Sequence, residues 1–270
     1  MLEDYKNALK SGQRAYRACV ARGQSPYLAV LDDILVNVNI VSQEPLGLVE
    51  IPAESIVGTK TSGRHTAFAP NFMPLLEADT EFAAKWSNLC EAHLEEGIHT
   101  PIIAFEFMNR FYVQEGNKRV SVLKYYEAVK IPGTVTRLVP ERNETLENKI
   151  YYEFLDFYKL SKINYVHFSR LGGYAKMQTL VCKATSESWT DDDRLNFASL
   201  YTMFSQQFYA LGGSALGLTP GDALLVYLAV YRYSDAIEST PAQVRENLSK
   251  LWDEIKICLL YTSDAADDKA

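Results

Sequence analysis

Between residues 46 and 140 the apolar residues switch repeatedly between a period of two and a period of 3.6, and that alternation limits the chain to folds that lay helices on a sheet. The run Gly47-Leu-Val-Glu-Ile-Pro52 alternates as a strand does, and Gly58-Thr-Lys-Thr-Ser-Gly-Arg64 has the chemistry of a loop. A helix is predicted next, with Asp79 or Thr80 as its N-cap, one face formed by Phe82, Trp86, Leu89, Cys90 and His93, and an end before Gly97. Strands over 102–107 and 110–113 flank a tight turn at Met108-Asn109. After Gly116 the pattern predicts a helix over 117–128, then Ile131-Pro-Gly and a strand over 134–139. A small α/β or α+β domain ending near Pro140 is the expectation.

The flanking regions read as helical. Tyr5, Leu9, Tyr16, Cys19 and Val20 place a helix over 3–22, with Gly23 as its stop, and a second short helix is expected over 27–35. Beyond Glu147, Tyr151, Tyr152, Phe154, Phe157 and Tyr158 share a helix, and a β-like piece over 164–168 precedes Gly172-Gly173. Three further helices have start signals: Thr190 with Asp193, Thr219-Pro220 with Asp222, and Thr240-Pro241 with Gln243. The expected organisation is N-terminal helices over 1–45, the α+β domain over 46–142 and a mainly helical domain over 143–257. Residues 258–270 break the preceding amphipathic pattern and resemble translated sequencing-adapter read-through, so they are expected to be an artefact and the natural protein to continue past residue 257.

Composition removes several function classes. A net charge of −7, from 27 basic and 34 acidic residues, argues against bulk coating of nucleic acid or anionic membrane, so DNA is not a favoured partner. The longest apolar stretch, 223–231, is far short of the roughly 20 residues that span a bilayer. No membrane association is expected. The start Met1-Leu-Glu-Asp-Tyr has no secretory-signal pattern, and the four cysteines (Cys19, Cys90, Cys182, Cys258) form no CxxC pair, so a cytoplasmic protein with reduced thiols is expected. No metal site is expected either, because Gly97 interrupts the helix that carries His93 and Glu96 before His99.

The segment with the clearest chemistry is Tyr112-Val-Gln-Glu-Gly-Asn-Lys-Arg-Val-Ser-Val-Leu123. A strand delivers the chain to Gly116, the glycine permits a left-handed turn, and a helix starts at Asn117. Free N–H groups at a helix N-terminus attract anions, and Lys118 and Arg119 oppose the helix dipole unless an anion sits there. Over 109–142 seven basic residues (Arg110, Lys118, Arg119, Lys124, Lys130, Arg137, Arg142) face three acidic ones (Glu115, Glu127, Glu141), against the acidic balance of the whole chain. The segment reads as a phosphate cradle; a surface Lys-Arg pair on a solvated helix is the plainer alternative. Thr59-Lys-Thr-Ser-Gly is either a further phosphate nest or a polar loop. Tyr151 to Tyr158 reads as core more readily than as a base-stacking surface, and Gly212 to Gly217 reads as a turn.

Leu48-Val-Glu-Ile-Pro, Arg64 after a polar loop, Leu94-Glu-Glu-Gly-Ile with Pro101-Ile, Glu115-Gly-Asn-Lys-Arg119 and Ile131-Pro together resemble the ParB/sulfiredoxin-like fold over about residues 46–140. The resemblance implies that Gly116, Asn117, Lys118 and Arg119 hold the phosphates of a nucleotide (CTP, ATP or ADP), with Arg64 nearby. It also implies that Glu115, the counterpart of an acidic residue in free-serine kinases of this fold, is a candidate Mg²⁺ ligand or base. Asn117 stands where sulfiredoxins carry their catalytic Cys, so sulfinic-acid reduction is not expected. Glu141-Arg-Asn-Glu only faintly matches the second box of partition-type ParB proteins.

A longer run also resembles the N-terminal region of clostridial-type basic-membrane-protein (BMP) family ABC transporter substrate-binding proteins. It takes in Asp4-Tyr, Asn71-Phe-Met-Pro, Phe111 to Lys124 and Lys149 to Tyr158, and it implies a periplasmic-binding-like domain downstream. The function expected from these readings is a nucleotide- or phosphate-binding regulatory module. The alternatives are a DNA-binding partition-like regulator, a small-molecule kinase or NTPase using Glu115, and a ligand-free scaffold.

Overall fold

The computed structural model of the chain describes residues 2–257, so the expected read-through tail lies outside the described residues. The fold is α+β and divides into two compact units, the first ending at Glu141 and the second starting at Arg142.

The first unit opens with α1 (Leu2–Ala21), followed by β1 (Ala29–Val30), α2 (Leu31–Ile34), β2 (Ile40–Pro52), β3 (Ile56–Thr59), α3 (Glu81–Glu95), β4 (Ile102–Phe107), β5 (Arg110–Glu115), α4 (Asn117–Tyr125) and β6 (Lys130–Pro140). The strands form one mixed sheet in the order β1-β3-β5-β4-β6-β2. β1, β3 and β5 run parallel, β4 is antiparallel to β5 and parallel to β6, and β2 closes the edge antiparallel to β6.

The helix expected over 27–35 is instead a two-residue strand, α2 and a 3-10 turn, because Ala29 and Val30 pair with Gly58 and Thr59. Gly58 therefore lies in a strand rather than a loop. A Cβ there would meet the Ala29 carbonyl oxygen at 2.2 Å and the Tyr112 ring at 2.9 Å, so the glycine allows three strands to close up. β2 starts earlier than its alternating half suggests, since its first half is an edge segment interrupted by a bulge between Pro45 and Gly47. α4 ends at Tyr125, where Glu127 takes a left-handed backbone.

The core lies mainly between the sheet and the helices. Ile51, Ile102, Ala104, Phe111, Val113 and Val135 from the strands pack with Val120 and Leu123 of α4. α1 joins through Tyr5, Ala8 and Leu9, which surround the fully buried Trp86 of α3. The Trp86 indole N–H donates to Ser121 Oγ at 2.9 Å, so the largest core side chain also fixes α3 against α4. Thr80, one of the two caps that the sequence allows, caps α3 by accepting from the Ala83 N–H.

Lys124 supplies a pH handle in this unit. Its ammonium donates to the Ile56 carbonyl at 2.8 Å and lies 5.0 Å from the centre of the Phe72 ring, and burial pulls its pKa down to about 8. A depressed lysine binds fewer protons folded than unfolded between pH 8 and its ordinary value near 10.5, so stability must rise with pH across that window. Buried Tyr5, pushed up to about 12 chiefly by burial, acts oppositely and lowers stability above pH 10. Urea unfolding should therefore show stability rising by up to about 3 kcal/mol toward pH 10 and then falling; in Lys124→Met most of the rise should be lost.

The second unit is built from α5 (Leu146–Ser161), α6 (Gly173–Leu180), α7 (Asp191–Ala210), α8 (Pro220–Val230), α9 (Tyr233–Ile237) and α10 (Pro241–Lys250). Thr190, Thr219 and Thr240 each form a complete capping box with Asp193, Asp222 and Gln243, so all three expected helix starts are present. Residues 164–168 form no strand, and α6 lies where the sequence predicts no helix. Gly172 turns the chain with a left-handed backbone, and a Cβ on Gly173 would strike the Phe168 ring at 2.5 Å. Tyr151, Phe154 and Phe157 are buried, with Tyr174, Trp189 and Phe197 packed around them, which makes the aromatic run core. No helix among the described residues is long and apolar enough to cross a membrane.

Candidate functional site

The topology of the first unit brings two separate loops together. Because β3 and β5 are parallel neighbours, with Thr59 paired to Val113, the chain leaves both strands at the same end of the sheet. Clefts at the carboxyl ends of parallel strands are common ligand sites. After Thr59 the chain runs into the 3-10 stretch Ser62–Ala67, which carries Arg64; after Glu115 it turns at Gly116 into α4. The two exits are tied together: the Thr59 hydroxyl donates to the Val113 carbonyl at 3.0 Å, and the Asn117 amide donates to the Thr59 hydroxyl at 3.2 Å.

Arg64 and Lys118 consequently line one cleft of about 300 Å³, whose wall is completed by Gly63, Thr66, Ala67, Leu76 and by Glu81, Phe82 and Lys85 from the first turns of α3. Three cations face one carboxylate there. Lys85 is paired with Glu81 at 2.6 Å, one helical turn apart. The side chains of Arg64 and Lys118 make no hydrogen bond or ion pair among the described residues, and the Lys118 ammonium lies 4.7 Å from the centre of the Phe82 ring. Neighbouring cations behave otherwise: Lys60 is held by Asp32 at 2.7 Å, and Lys124 and Arg119 by backbone carbonyls.

The charges register in the titration of the groups. Burial first, and then the positive charges of Arg64 and Lys85, hold the Lys118 pKa below its ordinary value, while Glu81 acts the other way. Glu81 is held below the ordinary carboxylate range by its bond to Lys85, with smaller effects of Lys118 and Arg64. The cleft thus has excess positive charge that an anion would relieve.

The remaining expected residues take different places. Gly116 has φ 108°, and α4 begins from it without a side-chain cap. A Cβ there would meet Ile102 at 2.8 Å and the Arg119 guanidinium at 3.2 Å, so the turn requires glycine twice over. Arg119 is committed to the fold: its Nη1 donates to the carbonyls of Thr100 at 2.9 Å and Pro101 at 2.5 Å, and its Nη2 to Glu115 Oε1 at 3.3 Å. Asn117 serves the strand exits as described, and its Oδ1 is buried with no partner among the described residues.

Glu115 is exposed and shares its carboxylate with Arg119. Mg²⁺ favours an octahedral set of oxygens, and no group of three or more acidic, His or Cys side chains among the described residues gathers to hold a metal. Mg²⁺ commonly takes only one or two protein carboxylates beside water and phosphate oxygens, and Glu115 offers one such carboxylate, shared with Arg119. Of the other candidates, Thr59 is buried in β3 rather than free in a nest, and His99 bonds the Glu96 carbonyl at 2.7 Å. Gly212 and Gly217 bracket a 3-10 turn.

Sequence reading did not find Glu81, Phe82 and Lys85 as site residues. They sit on α3, read only as a core-packing helix, and the Glu81-Lys85 spacing of four was the one available signal. No protein-family model matches the chain, and no curated protein is significantly similar to it.

Proposed function

We propose that the first unit is a nucleotide- or phosphate-binding regulatory module, which takes the phosphoryl group of a small molecule into the cleft between Arg64 and Lys118. The observation that carries this reading is that these two cations, from different loops, share one cleft without a hydrogen-bond or ion-pair partner among the described residues, while Lys60, Lys85, Lys124 and Arg119 around them are paired. Folding leaves such a pair uncompensated at an electrostatic cost, and a phosphate offers charge-assisted hydrogen bonds to both. Gly116 and Arg119 build the turn that presents Lys118, with Arg119 acting through the Thr100 and Pro101 carbonyls. The regulatory role, and a BMP-type ligand-binding domain downstream to receive the signal, rest on the resemblance of residues 1–257.

The test is thermal unfolding of the full chain against CTP, ATP, ADP and inorganic phosphate, with and without Mg²⁺. A ligand at about 100 times its dissociation constant adds roughly 2.7 kcal/mol, which in a unit of this size raises the midpoint by about 5 to 10 °C. The shift should disappear in Lys118→Ala. A shift that survives this substitution, or none with any phosphate compound, would remove the reading.

A further inference from the structure

Resting on that phosphate-site reading, we infer that the cleft selects a phosphate monoester dianion of a small molecule over polyphosphates, and that Glu81 sets this charge ceiling. The charges facing the cleft are Arg64, Lys85, Lys118 and Glu81. The Glu81-Lys85 pair, closed at 2.6 Å, is neutral as a unit, so the two cations without partners leave a charge of +2. A phosphomonoester above its second pKa of about 6 carries the matching charge. A diphosphate or triphosphate brings more negative charge than two cations can neutralise, and sets the surplus against the Glu81 carboxylate.

Size agrees with charge, for about 300 Å³ is at the small end of ligand pockets. Phe82, Leu76 and Ala67 add an apolar wall beside the cations, which suits an ester carrying a compact apolar or aromatic body better than a chain of phosphates. Glu81 is mostly exposed, at 80%, so its repulsion acts through solvent and its effect on any one anion is moderate. The effect nevertheless grows in proportion to ligand charge. Replacing Glu81 also releases Lys85 to bind the added phosphate.

Calorimetric titration of the full chain at pH 8 with phenyl phosphate, inorganic pyrophosphate and CTP tests this, in the wild type, Glu81→Gln and Lys118→Ala. The wild type should bind phenyl phosphate most tightly, and Lys118→Ala should weaken every ligand. In Glu81→Gln, pyrophosphate should gain about fivefold over phenyl phosphate, the factor expected of one unit charge near contact distance in water. If pyrophosphate or CTP binds the wild type more tightly than phenyl phosphate, or Glu81→Gln leaves the ratio unchanged, the selectivity is overturned while the Lys118-dependent site stands. If none of the three binds, both readings fall.

Discussion

Arg137→Met should destabilise the first unit by about 3 to 5 kcal/mol, the largest stability effect expected from a single charged residue of the sheet. Arg137 and Glu106 are 2% and 1% exposed and form an ion pair between register partners of the parallel strands β4 and β6. Removing the guanidinium leaves Glu106 without that partner in a site with almost no water. The carboxylate must then ionise at high cost or take up a proton. Glu106 has a second duty, because its other carboxylate oxygen accepts the Asn109 N–H at 2.7 Å and so holds the left-handed turn at Met108 and Asn109 between β4 and β5.

Adding Glu106→Gln to Arg137→Met should recover much of the loss, since a neutral amide can still accept from Asn109 and no longer demands a cation. Urea unfolding of the two variants at pH 7 checks both steps. Equal stability of the single and double variants would mean that the loss comes from packing of the arginine stem instead of the stranded charge.

How much of this molecule could be read from its sequence depended on whether the deciding interaction was local. The starts at Thr80, Thr190, Thr219 and Thr240 were legible because a cap and its partner lie three residues apart. The turn at Gly116 was legible because a glycine between a strand and a helix has few other uses. β1 and β3 were not, since two- and four-residue strands carry too little periodicity, and Gly58 looks like a loop residue until β1 is seen packed against it. The same division applies to the site. Lys118 and Arg64 were singled out, one by its helix start and the other through the ParB/sulfiredoxin-like resemblance. Lys85 and Glu81 reach the cleft only through the packing of α3, and nothing local to Arg119 announces that its guanidinium belongs to the Thr100 and Pro101 carbonyls.

That last contrast gives the other large effect expected, in the double variant Arg64→Gln/Lys118→Gln. Each phosphate contact from a charged donor contributes about 1.5 to 3 kcal/mol, so losing both should weaken phosphate affinity by at least about 100-fold. Folding should not suffer with it. Arg64 and Lys85 hold the Lys118 pKa down, after burial, so the like charges of the cleft repel one another in the unliganded protein. Glutamine keeps part of the aliphatic stem and removes that repulsion, so the unliganded double variant should melt at or slightly above the wild-type temperature. Arg119→Ala should do the opposite, lowering the melting temperature by removing the ties to the Thr100 and Pro101 carbonyls and loosening the turn. Side-by-side thermal unfolding with and without inorganic phosphate separates the roles. Should the double variant melt well below the wild type, Arg64 and Lys118 would be structural cations and the cleft would have no claim to an anion.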